Sequence, residues 1–119
     1  MHSRRFLDAW ERVDEGAPSR LSAAKNFLHF DERRLTNRQR ELNEYLERGA
    51  DMEGEETRPA REALRVALES IEGSSKDYAS AVAAVEIHGA AMAEAINAAK
   101  IILTEQSKAY ERHMELETL

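Results

Sequence analysis

Residues 74–117 read SSKDYASAVAAVEIHGAAMAEAINAAKIILTEQSKAYERHMELE, forty-four residues without a proline. Taken every fourth and third residue, the stretch gives Tyr78, Val82, Val85, Gly89, Met92, Ile96, Ala99 and Leu103. That unbroken 4-3 repeat predicts a long helix with one face held against other helices. Beyond Leu103 the same positions become Gln106, His113 and Glu117, with only Tyr110 apolar. The reading is buried helix to about residue 103, then an exposed extension.

The rows beside this stripe extend the argument. One flank is Ala81, His88, Ala95, Ile102, Ala109 and Leu116, which widens the face to the three-in-seven of a bundle helix. The far side is not consistently polar, because Ala84, Ile87, Ala91, Ala98 and Ile101 lie there. A helix apolar nearly all round is normally buried on both sides. These five residues are therefore the expected face for self-association or for a partner protein. Ten alanines between residues 78 and 103, with Gly89 and Ala93 one turn apart, suit close helix crossings. Gly89 is read as a crowded core position.

Working back toward the start, Gly73 reads as a helix stop, and Ser74 with Asp77 as the restart. Leu64, Leu68 and Ile71 mark a helix over about 58–72, opened by Thr57 and Pro59 and carrying Ala60, Ala63 and Ala67 as small residues. Before it, GADMEGEETRP (residues 49–59) is an acidic loop. Asp51, Glu53, Glu55 and Glu62 fall at positions 1, 3, 5 and 12 of a calcium-binding loop, but Glu56 stands where that loop needs glycine. A solvated loop is the better reading.

Residues 19–48 form another helical segment, capped by Ser19, with Leu21, Leu28, Leu35 and Leu42 every seven residues. Lys25, Glu32 and Gln39 occupy the positions where a zipper needs apolar knobs, so the leucines read as one edge of a bundle helix. Thr36 and Gln39 form a capping-box pair, which leaves open a kink or restart near 31–36. Ser3 caps a first helix over about 3–14 whose face is Phe6, Leu7, Trp10 and Val13, ended by Glu15-Gly16-Ala17-Pro18.

Composition agrees. One domain spans 1–119 by length, with 34% charged and 42% hydrophobic residues and only five glycines and two prolines. The expected fold is all-α, a small up-and-down helical bundle with a long C-terminal helix, about 74–117, projecting from or joining an oligomer. No secretory signal pattern opens the chain, and Glu86, His88, Glu94, Asn97 and Lys100 interrupt its most apolar window. The expectation is a soluble, cytoplasmic protein.

Chemistry is thinly signalled. There is no cysteine, and His2, His29, His88 and His113 show no paired ligand spacing, so no metal, cofactor or catalytic residue is inferred. Arg33, Arg34, Arg38 and Arg40 are the one basic cluster, suited to a phosphate or an acidic partner patch. Charge is uneven: residues 1–48 carry ten basic against nine acidic side chains, and residues 49–119 seven against fourteen. An acidic second half argues against broad nucleic-acid binding. Leu35–Leu46, LTNRQRELNEYL, is similar to the first helix of LexA-type winged-helix repressors, over about a tenth of the chain. The resemblance implies a recognition helix and β-wing to follow, but a long helix is read after Gly73.

The functional expectation is a non-enzymatic protein–protein interaction module. It would be a self-associating structural or adaptor subunit of a larger bacterial or phage assembly, binding itself and another protein. The alternatives are a secretion-system helical chaperone or secreted subunit, and a nucleic-acid-binding regulator using the arginine cluster.

Overall fold

The computed structural model describes residues 2–118, with side chains from Arg4 onward. The fold is all-α, as the periodicity predicts, with no strand among the described residues. Its helices are α1 (His2–Glu11), α2 (Ala17–Glu47) and α3 (Arg58–Thr118). They group into two compact units, Pro18–Ala83 and Met1–Ala17 with Ala84–Leu119.

The first unit is a hairpin of α2 and the first half of α3. Ser74 donates a hydrogen bond from Oγ to the Asp31 carboxylate across the hairpin. On α2 the sheltered positions include Leu21, Ala24, Leu28, Asp31, Leu35, Arg38, Leu42 and Tyr45, a 3-4 repeat. The leucine edge is thus real, and its partner row is 24, 31, 38 and 45 rather than 25, 32 and 39. On α3 one sheltered row is small, with Ala60 and Ala67 buried and Ser74 and Ala81 half-buried at the same seven-residue interval, and Leu64, Ile71 and Tyr78 half-buried between them. Large residues on one helix fill the space left by small ones on the other.

Two expected breaks are absent. Helix α2 is continuous through 31–36, because the Thr36 hydroxyl bonds back to the Glu32 carbonyl at 3.0 Å instead of capping a new helix. Helix α3 runs on through Gly73, so the segments expected at 58–72 and 75–117 are one helix. The Ser74 hydroxyl also bonds the Ser70 carbonyl at 3.1 Å within that helix. Ser74 thus bonds both within α3 and to α2, and does not cap a new helix. The cap expected from Ser3 lies outside the described side chains. The cap expected from Ser19 does not form, since α2 starts at Ala17 and Pro18 occupies its first turn, where its missing N–H costs nothing.

The loop between α2 and α3 is more ordered than its acidity suggests. Gly49, at φ 88°, closes α2 with the paired bonds of a Schellman cap, Gly49 N–H to Leu46 O at 3.0 Å and Ala50 N–H to Tyr45 O at 3.1 Å. Thr57 is fully buried at the start of α3. Its hydroxyl lies 2.8 Å from the Asp51 carbonyl and within 3.2 Å of the Gly54 carbonyl, and it accepts from Arg61 Nε at 3.3 Å. Arg61 also donates to the Gly54 carbonyl at 2.9 Å. Thr57 therefore folds the loop back onto the helix it starts. Replacing it with valine keeps the shape but removes this hydroxyl's hydrogen bonds to the loop and to Arg61, and should cost about 1 kcal/mol in chemical denaturation. An unchanged midpoint would show that the loop is not held by this hydroxyl.

In the second unit α1 lies antiparallel along α3, since Arg12 pairs with Glu94 and Asp14 meets His88 six residues earlier. Ala9 on α1 and Ala91, Ala95 and Ala98 on α3 are the buried residues of the contact. Residues 103–118 of α3 are exposed throughout. Gly89 is exposed, and a Cβ built there meets no atom within 4 Å, as is also true of Gly73. The crowded glycine expected from the repeat is thus an open one. Gly73→Ala and Gly89→Ala should each raise stability by about 0.5–1 kcal/mol, by relieving the entropic cost of a mid-helix glycine. A lowered melting temperature for either would reveal a packing role that the backbone does not show.

Candidate interaction surfaces

The docking of α1 decides which faces of α3 remain free. Helix α1 ends in a tight turn, with Arg12 N–H on the Ala9 carbonyl and Val13 N–H on the Trp10 carbonyl, both at 3.1 Å. Asp14 then reverses the chain: its Oδ1 accepts from Gly16 N–H at 3.2 Å and its carbonyl from Ala17 N–H at 3.0 Å. The Asp14 N–H points outward from this turn and donates to His88 Nδ1 at 3.1 Å. His88 is therefore the acceptor that holds the turn to α3, and in the neutral ring its proton sits on Nε2. His88→Leu should leave that N–H unpaired and loosen α1, costing about 1 kcal/mol or more. The check is amide exchange across residues 4–14. Equal protection in parent and variant would mean that the alanine contact and the Arg12–Glu94 pair hold the helix without His88.

This docking moves the seam. The face expected for self-association does not stay together, because Ala91 and Ala98 are buried, Ala84 and Ile101 are half-buried, and only Ile87 is exposed, at 59%. Of the stripe expected in the core, Gly89, Ile96 and Leu103 face solvent. The centre of the contact is instead Ala91, Ala95 and Ala98, with His88 and Ile102, on the row expected only as a flank, half-buried beside it. Backbones brought together through Ala9 and Ala95 leave no room between them for isoleucine or leucine, so the bulkier row rotates to the edge. Ala9, the one small residue among the described side chains of α1, and the alanines at 91, 95 and 98 were the available signal, since small residues on two helices suit their close approach.

Helical geometry shows where the displaced row points. In an antiparallel pair the two chains turn in opposite senses, so positions ahead of the contact on one helix share a side with positions ahead on the other. Counting about 100° per residue from Ala95, Met92, Ile96, Ala99 and Leu103 lie roughly 40–100° ahead. Counting likewise from Ala9, Phe6 and Trp10 lie ahead, with Leu7 further round. Arg12 and Glu94 both lie behind, and their ion pair confirms the handedness. Ile96, Leu103 and Trp10 therefore share one side, at 49%, 62% and 47% exposure, and Phe6 stacks on Trp10 with ring centres 6.1 Å apart. Tyr110 and Met114 continue the row along the bare part of α3.

The arginine cluster lies in the other unit. Arg38 Nη1 is held by both Glu41 carboxylate oxygens, at 2.7 and 2.8 Å, and Arg40 by Asn37 Oδ1 at 2.6 Å. Arg33 and Arg34 make no ion pair among the described residues and border a shallow depression with Phe30, Asn37 and Arg38. Exposed Phe27 and Phe30 lie next to it. Two of the four arginines are thus committed within the helix.

No group of three metal-ligating side chains occurs among the described residues. The acidic loop residues are otherwise engaged: Asp51 Oδ1 accepts from Glu53 N–H at 3.1 Å and Glu55 pairs with Arg58. Arg65, bonded to Glu62, holds that carboxyl below its ordinary range. With no strand following Leu35–Leu46, the wing implied by the repressor resemblance is not formed among the described residues. By length and composition α3 contains one stretch apolar enough to cross a membrane. No protein-family model, curated protein or solved structure matches this chain.

Proposed function

We propose that this chain is a non-enzymatic protein–protein interaction module, a self-associating structural or adaptor subunit of a larger assembly. The observation that carries the reading is the row of Ile96, Leu103, Tyr110 and Met114, apolar at helical spacing and 41–65% exposed. Full burial of such side chains is worth about 1.5–3 kcal/mol each. A helix face that leaves this much unclaimed is ordinarily claimed by another molecule.

Contact with protein fits better than contact with lipid. The apolar stretch of α3 holds Glu86, His88 and Glu94, and the last two are already engaged by the turn after α1. A lipid-facing helix would have to accommodate those groups in hydrocarbon. Contact with nucleic acid is weakly supported, because only Arg33 and Arg34 of the four arginines are uncommitted and the chain carries a net charge of −6.

Sedimentation equilibrium at micromolar concentrations tests the reading. The expected mass is a multiple of 13.5 kDa. A parent that stays monomeric at the highest soluble concentration would remove self-association. Fluorescence anisotropy with single- and double-stranded oligonucleotides at about 0.15 M salt should stay flat. Tight binding lost in Arg33→Glu/Arg34→Glu would favour the regulator reading instead.

A further inference from the structure

Resting on that reading, we infer that the occupant of the exposed row is a second copy of this chain, paired antiparallel about a two-fold axis at Leu103. The bare part of α3 in each copy then covers the side of the α1–α3 pair that carries Trp10 in the other.

The first reason is the pattern of the row. From Leu103 toward the chain start the positions are Ala99, Ile96 and Met92, at steps of 4, 3 and 4. Toward the chain end they are Ser107, Tyr110 and Met114, at the same steps of 4, 3 and 4. A row that reads alike in both directions is self-complementary under a two-fold axis, which is the requirement of an isologous interface. Leu103 meets its own copy on the axis. Ala99 faces Ser107, small against small, and Ile96 faces Tyr110. Met92 faces Met114, the most adaptable side chains at the two ends. Each eleven-residue step also returns the row to within about 20° of the same side of an ordinary helix, so the two helices pair with little supercoil.

The second reason is that the two halves of the row are differently clothed. Beside Met92–Ala99 the chain supplies α1, and the antiparallel register set by Arg12–Glu94 places Trp10 near Ile96. Beside Ser107–Met114 it supplies nothing, since every residue there is exposed. Antiparallel pairing lays the bare half of one copy against the clothed half of the other, bringing Tyr110 to Trp10. A parallel pair would set bare half on bare half and clothed half on clothed half.

The area is sufficient. Trp10 and Tyr110, at roughly half of the 150–250 Å² of an aromatic side chain, and Ile96, Leu103 and Met114, at about 30–60 Å² each, offer about 300 Å² per copy. The two copies would bury about 600 Å² of apolar surface. Because interfaces are roughly 60% apolar, the whole contact comes to about 1,000 Å², the lower bound for specific association. The pairing should therefore be reversible at micromolar concentration.

The absence of cysteine makes the geometry directly readable. Under mild oxidation Leu103→Cys alone should form a disulfide dimer, whereas Ile96→Cys alone and Tyr110→Cys alone should not. Mixing the last two should give the mixed disulfide. Emission of Trp10, the single tryptophan, should shift to the blue as the parent is concentrated. Leu103→Lys/Tyr110→Lys should abolish that shift and give a monomer, and since both side chains are exposed the lysines do not disturb the single chain. Ile96→Cys and Tyr110→Cys each cross-linking with itself would mean parallel pairing, overturning this arrangement while leaving self-association standing. A monomeric parent with no cross-link at any position would overturn both.

Discussion

Closeness of approach between helices is the constraint on which the rest of the structure depends. At both contacts the seam on α3 is built from small residues, Ala60, Ala67 and Ser74 against α2, and Ala91, Ala95 and Ala98 against α1. Small side chains let backbones approach, and dispersion between closely packed chains replaces what bulky knobs would supply. The consequence is displacement. Large apolar side chains that would fill a wider seam are rotated to its edges, where Ile96, Leu103 and Trp10 stand partly in water.

A seam of alanines buries little apolar area per residue, so specific polar contacts carry much of the positional information. Each of the chain's reversals has one. Thr57 ties the loop before α3 to the helix start, and the Asp14 N–H ties the turn after α1 to His88. Ser74 and Asp31 set the register of the hairpin. A sliding helix pair whose seam is uniform in volume has many nearly equal registers, and a hydrogen bond to a charged group selects one. The surface ion pairs, such as Arg65 with Glu62 and Glu69, lie on exposed faces and contribute little by comparison.

The same economy links fold to function. A helix that spends its small residues on internal contacts keeps its large ones for external contacts. That division is what the proposed assembly subunit would need: a fold held by close packing, and an apolar row available to another chain. The arginine cluster follows a similar logic on a smaller scale, since Arg38 and Arg40 bond to neighbours on α2 itself and Arg33 and Arg34 make no ion pair among the described residues.

By itself the sequence determined the helical class, the long C-terminal helix and the surplus of apolar surface on it, because each is a property of spacing along one chain. The leucine edge of α2 and the small residues of α3 were legible for the same reason. Tertiary structure decided what spacing cannot. Gly73 and Ser74 look like a stop and a restart, yet one helix passes through them beside the Ser74–Asp31 contact. The 4-3 repeat through Val85, Gly89 and Ile96 looks like a core, yet α1 selects the neighbouring alanine row, because volume at the point of closest approach decides which residues can lie between two helices. Periodicity counts where apolar residues recur around a helix, and only the partner helix determines which of them it covers.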